Sequence, residues 1–121
     1  MSENNIKEII YMYDDSSDTF GVKVTHGFQY GSTVEMYDVR LLDFDENNVP
    51  VSLEILDDSK RFNLPKESLR DVVFIRMDVF VDDVSICLKI VVGTVENMQK
   101  IDSYATNYCN LPNMDVKLAL V

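Results

Sequence analysis

The stretch "DFDENNVPVSLEI", residues 43–55, decides the fold, because it can be read as a calcium loop or as a β-hairpin. As a loop it places Asp43, Asp45 and Asn47 at positions one, three and five and Glu54 at position twelve. An EF-hand also needs a sharp turn at position six, usually glycine, and a helix on each side. Asn48 stands at the glycine position and can enter the left-handed region. Pro50, however, removes a backbone donor and biases Val49 towards extended geometry. The preceding "YDVRLL" carries no helical apolar stripe.

With Asn47 and Asn48 as the central pair of a type I′ turn, the two halves of the stretch face each other. Phe44 then opposes Val51, Asp43 opposes Ser52, Leu42 opposes Leu53 and Leu41 opposes Glu54. Opposed residues share a face. Leu42, Phe44, Val51 and Leu53 therefore form one apolar side, and Asp43, Asp45, Ser52 and Glu54 fall on the other. Glu54 would lie about 16 Å along the strand from the turn, too far to close on an ion held at Asn47. The hairpin is the expected structure. Asp43 and Asp45, same-side neighbours about 7 Å apart, leave an alternative of a weak cation site.

The same period of two extends through the second half. Val73, Ile75, Met77, Val79 and Val81 are apolar at every second position, with Arg76 and Asp78 on the other face, and Val84, Ile86, Leu88, Ile90 and Val92 repeat the pattern. Asp82 and Asp83 lie between them, so 73–92 is expected to be a hairpin with one buried face. Further strands are expected at 9–13, 20–24, 37–45, 49–56 and 116–121, about seven in all, with hairpins at 39–56 and 73–92. The Asp and Ser of "YDDSSD" at 13–18 suit the turn between the first two strands.

One or two short helices are expected. "LPKESLRDV", with Pro65 early and Glu67 in the first turn, predicts a short one over about 64–70. Val95, Met98, Ile101, Ala105 and Tyr108 recur at three- and four-residue spacing behind Thr94, a possible N-cap, predicting a second over 95–108. The fold class is α+β, predominantly antiparallel sheet, in one domain. "GSTVE" at 31–35 and "GTVE" at 93–96, with "NVP" at 48–50 and "NLP" at 110–112, also suggest two divergent repeats, 1–62 and 63–121.

A chain of 121 residues with 46% apolar content can bury a core without staples. Cys87 and Cys109 have neither disulfide-scaffold density nor zinc-site spacing and are expected to be free thiols, with Cys87 buried in a strand. The start, "MSENNIKEII", lacks a basic, apolar export signal, and no apolar run is long enough for a membrane span, so a cytoplasmic location is expected. Charge is uneven: residues 1–60 carry 13 acidic against 4 basic residues, residues 61–121 carry 8 against 7, and the net is −10. Such a surface repels nucleic-acid phosphate and anionic lipid and attracts cations or basic proteins.

Catalytic signals are sparse. His26, the lone histidine, has no nucleophile or carboxylate beside it in sequence, and the four glycines form no phosphate loop before a helix. The stretches "IIYMYDDSSDTFGVKV" (9–24) and "VRLLDFDENNVPVSLEILDDSKRF" (39–62) look like a widespread prokaryotic family of small domains of unknown function. The matching positions are Tyr13, Asp14, Asp18, Asp43, Asp45, Glu54, Ile55, Leu56 and Ser59; Asn48 and Asp58 depart from the pattern. The resemblance covers roughly the first half of the chain; it implies a β-rich domain, supplies no established activity, catalytic residue or cofactor, and suggests an antitoxin-like role.

The expectation from these readings is a non-catalytic protein-interaction module. Its acidic face, with Asp43, Asp45 and Glu54, would dock a basic partner. The alternative is a divalent-cation-binding protein using the same carboxylates. Long strand edges also make a homodimer plausible.

Overall fold

The computed structural model describes residues 6–37 and 40–120; the expectations placed on residues 1–5, 38, 39 and Val121 lie outside them. Chain order is β1 (Ile6–Asp14), β2 (Thr19–Val24), β3 (Tyr30–Met36), β4 (Arg40–Asp45), β5 (Pro50–Ile55), α1 (Asp58–Phe62), α2 (Lys66–Leu69), β6 (Phe74–Val81), β7 (Ser85–Gly93), β8 (Met98–Thr106) and β9 (Met114–Leu120). The nine strands of the described residues join one sheet in the order β3-β4-β5-β2-β1-β9-β6-β7-β8. Every neighbouring pair is antiparallel except β1 and β9. The chain is β-rich with two short helices, as expected for α+β, but nine strands replace the expected seven.

The opening stretch is a hairpin. Leu41 pairs with Glu54, Leu42 with Leu53 and Asp43 with Ser52, the expected register. Nearer the turn a bulge intervenes and Phe44 pairs with Pro50 rather than Val51. The turn holds three residues instead of two. Asp45 N–H donates to the Val49 carbonyl at 2.8 Å, Asn48 N–H donates to the Asp45 carbonyl at 3.0 Å, and Asn48 takes φ 64. This is the type I turn closed by a left-handed residue that three-residue hairpins favour. The bulge lets Pro50 and Val51 both bury, while Leu42, Phe44, Val51 and Leu53 share the core.

The 73–92 hairpin also forms, with its turn one residue later than expected. Val81 pairs with Ile86, and Asp82 N–H donates to the Ser85 carbonyl, so Asp83 and Val84 are central. The Asp82 carboxylate accepts the amides of Val84 and Ser85, which explains the shift and lowers its pKa. Ile75, Met77, Val79, Val81, Ile86, Leu88, Ile90 and Val92 line the core. Cys87, on the opposite parity, is exposed, which corrects the buried reading.

The expected helix over 95–108 is a strand. β8 pairs with β7 over its whole length, from Ser85↔Thr106 to Gly93↔Met98. Ile101 and Ser103 bury at period two, whereas Val95, Met98 and Tyr108 of the supposed helical stripe are exposed. Spacing of Ile101 and Ala105 fits both periods, and satisfying the free edge of β7 decides between them. Thr94 still caps, but its hydroxyl accepts the amides of Glu96 and Asn97 in a turn. The other expected helix, about 64–70, is the single turn α2, and α1 precedes it.

The sheet curls until its end strands meet. Tyr37 N–H donates to the Tyr104 carbonyl at 2.9 Å, and Ser103 Oγ and Arg40 Nη1 both donate to the Tyr37 carbonyl. Inside the curl a continuous apolar core runs from Ile9 through Phe20 and Phe44 to Leu118. The helical corner plugs it: Phe62 of α1 meets Phe20 edge-on at 6.0 Å, and Tyr11 stacks on the other side at 5.6 Å. Tyr11 Oη donates to the Arg70 carbonyl and accepts from Val72 N–H, tying the corner to β1.

Candidate functional site

The sequence-selected carboxylates occupy the outer face of β4 and β5, and two of them perform local structural work. Asp43 accepts hydroxyls from Thr33 at 2.6 Å and Ser52 at 2.8 Å. Asp45 accepts the amides of Asn47 and Val49 and so holds the hairpin turn. Glu54 is exposed beside them. Asp43 and Glu54 share a shallow groove of about 390 Å³ with Lys23, Ser52 and Gly21, while Asp45 lies outside it. No group of three or more potential metal ligands occurs among the described residues. His26 is exposed, its Nδ1 2.9 Å from the Gly27 carbonyl.

A second polar cluster lies inside. Asp18, with a left-handed backbone, accepts the Tyr13 hydroxyl at 2.5 Å, the Ser59 hydroxyl at 2.6 Å and the Ser59 amide at 3.1 Å. Tyr13, Asp18 and Ser59, three of the positions that carry the resemblance to the small-domain family, are thus one hydrogen-bonded unit joining the β1–β2 turn to α1. Burial alone would raise the Asp18 pKa, but the bonds from Ser59 and Tyr13 outweigh it and hold the carboxyl below its ordinary value. The Tyr13 phenol moves the opposite way, raised by burial and by its bond to Asp18. Asp58 is fully buried and neither carboxyl oxygen has a hydrogen-bond partner. Desolvation first, then the Asp18 charge, push its pKa up to about 8 against the opposing pull of Arg40.

A concavity of about 620 Å³ that mixes charged and aromatic side chains lies on the outer face of β9, β6, β7 and β8. Cross-strand register builds it in two rows. One row runs Lys117, Asp78, Lys89, Asp102; the next runs Asp115, Phe80, Cys87, Tyr104. Lys117 Nζ lies 3.3 Å from Asp115 and 3.6 Å from Asp78. Lys89 makes no ion pair among the described residues. Phe80 and Tyr104 are half exposed, and Tyr104 stacks on Tyr37 at 5.5 Å. An aromatic surface beside an available ammonium and several carboxylates can hold a flat heterocycle carrying an anionic group.

Sequence reasoning missed this groove. Arg76 and Asp78 are visible as the outward side of the 73–92 hairpin. Asp102 and Tyr104 are invisible there, because a helical reading of 95–108 scatters them away from Lys89.

No family model matches the chain, and no solved structure matches it. A curated protein from Methanosarcina mazei, named "Putative hypoxanthine phosphoribosyltransferase", is 32% identical over 88 residues, covering 69% of this chain and 71% of its own length. The expected non-catalytic interaction module, with its cation-binding alternative, is corrected by that match, since the relative's name is that of an enzyme. The misreading has a physical source: no nucleophile, histidine or glycine-rich motif announces catalysis in the sequence, whereas the acidic hairpin face is conspicuous. By the extent of this similarity, the chain belongs to the protein family of the Methanosarcina mazei relative.

Proposed function

We propose that this protein is an enzyme of the phosphoribosyltransferase type, acting on a purine base, with its substrates in the groove between Lys117 and Tyr104. The observation that carries the reading is the similarity to the Methanosarcina mazei protein. Phosphoribosyl transfer forms a bond between a ring nitrogen of the base and the anomeric carbon of ribose 5-phosphate. The bond from that carbon to an anionic leaving group breaks, and the ring N–H proton passes to a base. Such a reaction needs a flat apolar surface, a proton acceptor and cations for phosphate.

The groove offers each. Phe80 and Tyr104 provide aromatic surface for the purine, Lys89 and Lys117 the cationic contacts, and Asp102, directly opposite Lys89 in the ladder, a carboxylate for the proton. Side chains must take the phosphates, because α1 and α2 have five and four residues and no glycine-rich loop precedes either. Among the described residues no helix is long and apolar enough to cross a membrane, and the proposal includes a cytoplasmic location.

The test is an assay of the purified full chain with labelled hypoxanthine and phosphoribosyl pyrophosphate. Formation of the nucleotide with equimolar pyrophosphate release, reduced at least tenfold in Lys89→Ala, is the expected result. Absence of nucleotide together with no calorimetric binding of either substrate would sink the reading.

A further inference from the structure

The carboxyl of Asp58 is fully buried, and neither of its oxygens has a hydrogen-bond partner. It begins α1 behind Asp57, itself left-handed at φ 53, and it sits beside the saturated carboxylate of Asp18 with no donor of its own. Only its amide is used, donating to the Asp18 carbonyl at 2.9 Å. A buried ionised carboxylate without donors is strongly disfavoured, whereas the neutral acid is tolerated. A group in that position resists leaving its proton and resists staying buried once the proton is lost.

We propose that Asp58 is a proton-operated latch on the helical corner: protonated, it lets α1 and Phe62 plug the end of the curled sheet; ionised, it drives residues 57–72 to open towards solvent. The groups around it set the balance. Asp18 from the β1–β2 turn opposes ionisation, and Arg40 from β4 favours it. Tyr13 from β1 faces the same cluster but donates to Asp18. α1 itself supplies Arg61, the exposed Asp57 precedes it as its N-cap, and Lys66 of α2 acts on Asp18. β8, also packed on α1, turns Ile101 and Ser103 inward and presents no titratable side chain on its buried face. The pKa of about 8 agrees with this geometry and places the latch near neutral pH.

Opening exposes the surface that Phe62, Leu69 and Val72 now bury, so it is measurable as local unfolding. Hydrogen exchange of the full chain, corrected for intrinsic base catalysis, should show the opening equilibrium of the 58–64 amides rising about tenfold per pH unit towards pH 8 and then levelling. In Asp58→Asn the rise should vanish. In Asp18→Asn the levelling point should move to lower pH, because a charge opposing ionisation is gone. The wild-type protein alone gives a second readout: an infrared band of a protonated carboxylic acid, persisting well above pH 5 and lost as the latch opens. Flat exchange in the wild type, an unchanged slope in Asp58→Asn, or no protonated-acid band near neutral pH would each overturn the proposal.

Discussion

The backbone amide of Tyr37 and the carbonyl of Tyr104 meet at 2.9 Å, and their rings stack 10° from parallel, so this residue pair, with Ser103 Oγ donating to the Tyr37 carbonyl, links the two ends of the sheet. The contact leaves a cleft of about 690 Å³ between β3 and β8, lined by Thr33, Glu35, Thr106 and Tyr108. Among the described residues, these contacts hold the seam. A stacked aromatic pair contributes about 0.5–1.5 kcal/mol beyond its buried area. Tyr37→Ala should lower stability by that order, measured by urea denaturation, and should raise amide exchange along β3 and β8 before other strands. Uniform loss of protection across the sheet would contradict a local seam.

Gly31 marks another constrained contact. A Cβ placed there would meet the Asp45 carbonyl oxygen at 2.2 Å, a backbone atom that cannot rotate away. The β3–β4 register shifts at this point, between Tyr30 and Ser32. Gly31→Ala must displace β3 from the hairpin turn, and a loss of about 2–4 kcal/mol is expected. A melting temperature equal to wild type would show that the bulge relaxes.

These two contacts also show where sequence reasoning stopped. Alternation placed Leu42, Phe44, Val51 and Leu53 on one face, and the 73–92 pattern supplied eight core residues, because a buried face imposes period two directly. β3 escaped notice because only Val34 and Met36 of its seven residues bury. β8 escaped because Ile101 and Ala105 satisfy a helical period as well. The Asp18–Ser59 bond spans 41 residues and has no local signature, although both positions belong to the resemblance pattern. Site reading followed the acidic hairpin because charge is visible in one dimension, whereas the Lys89 row exists only through cross-strand register.

Stability should depend on pH through two carboxylates of opposite sense. Asp18 is lowered in the fold, so its contribution is present above its unfolded pKa and is lost as pH falls through the folded value. Asp58 is raised to about 8, so the folded state holds its proton from about pH 4 upward, and stability declines by about 1.4 kcal/mol per pH unit until it levels near 8. The melting temperature should therefore peak in mild acid. Asp58→Asn should flatten the decline between about pH 5 and 8 while sparing the acid limb. A variant that keeps the full decline would place its cause elsewhere.

Ionic strength should separate the proposed catalytic groove from ordinary cation-driven phosphate binding. The chain carries a net charge of −10, and three carboxylates, Asp78, Asp102 and Asp115, share the groove with Lys89 and Lys117. An anionic phosphoribosyl donor approaches against this field, and within the groove the two ammonium groups draw it in. Added salt screens the long-range repulsion, which acts over the whole surface, more than a contact made at a few ångströms. The KM for phosphoribosyl pyrophosphate should thus fall between about 10 and 150 mM salt, whereas that for uncharged hypoxanthine should stay constant. In Lys89→Ala the donor KM should rise several-fold with the same salt trend, because the global field persists when one contact is lost. A donor KM that instead rises steeply with salt would mean a locally positive site, and the substrate phosphates would then have to be bound away from this groove.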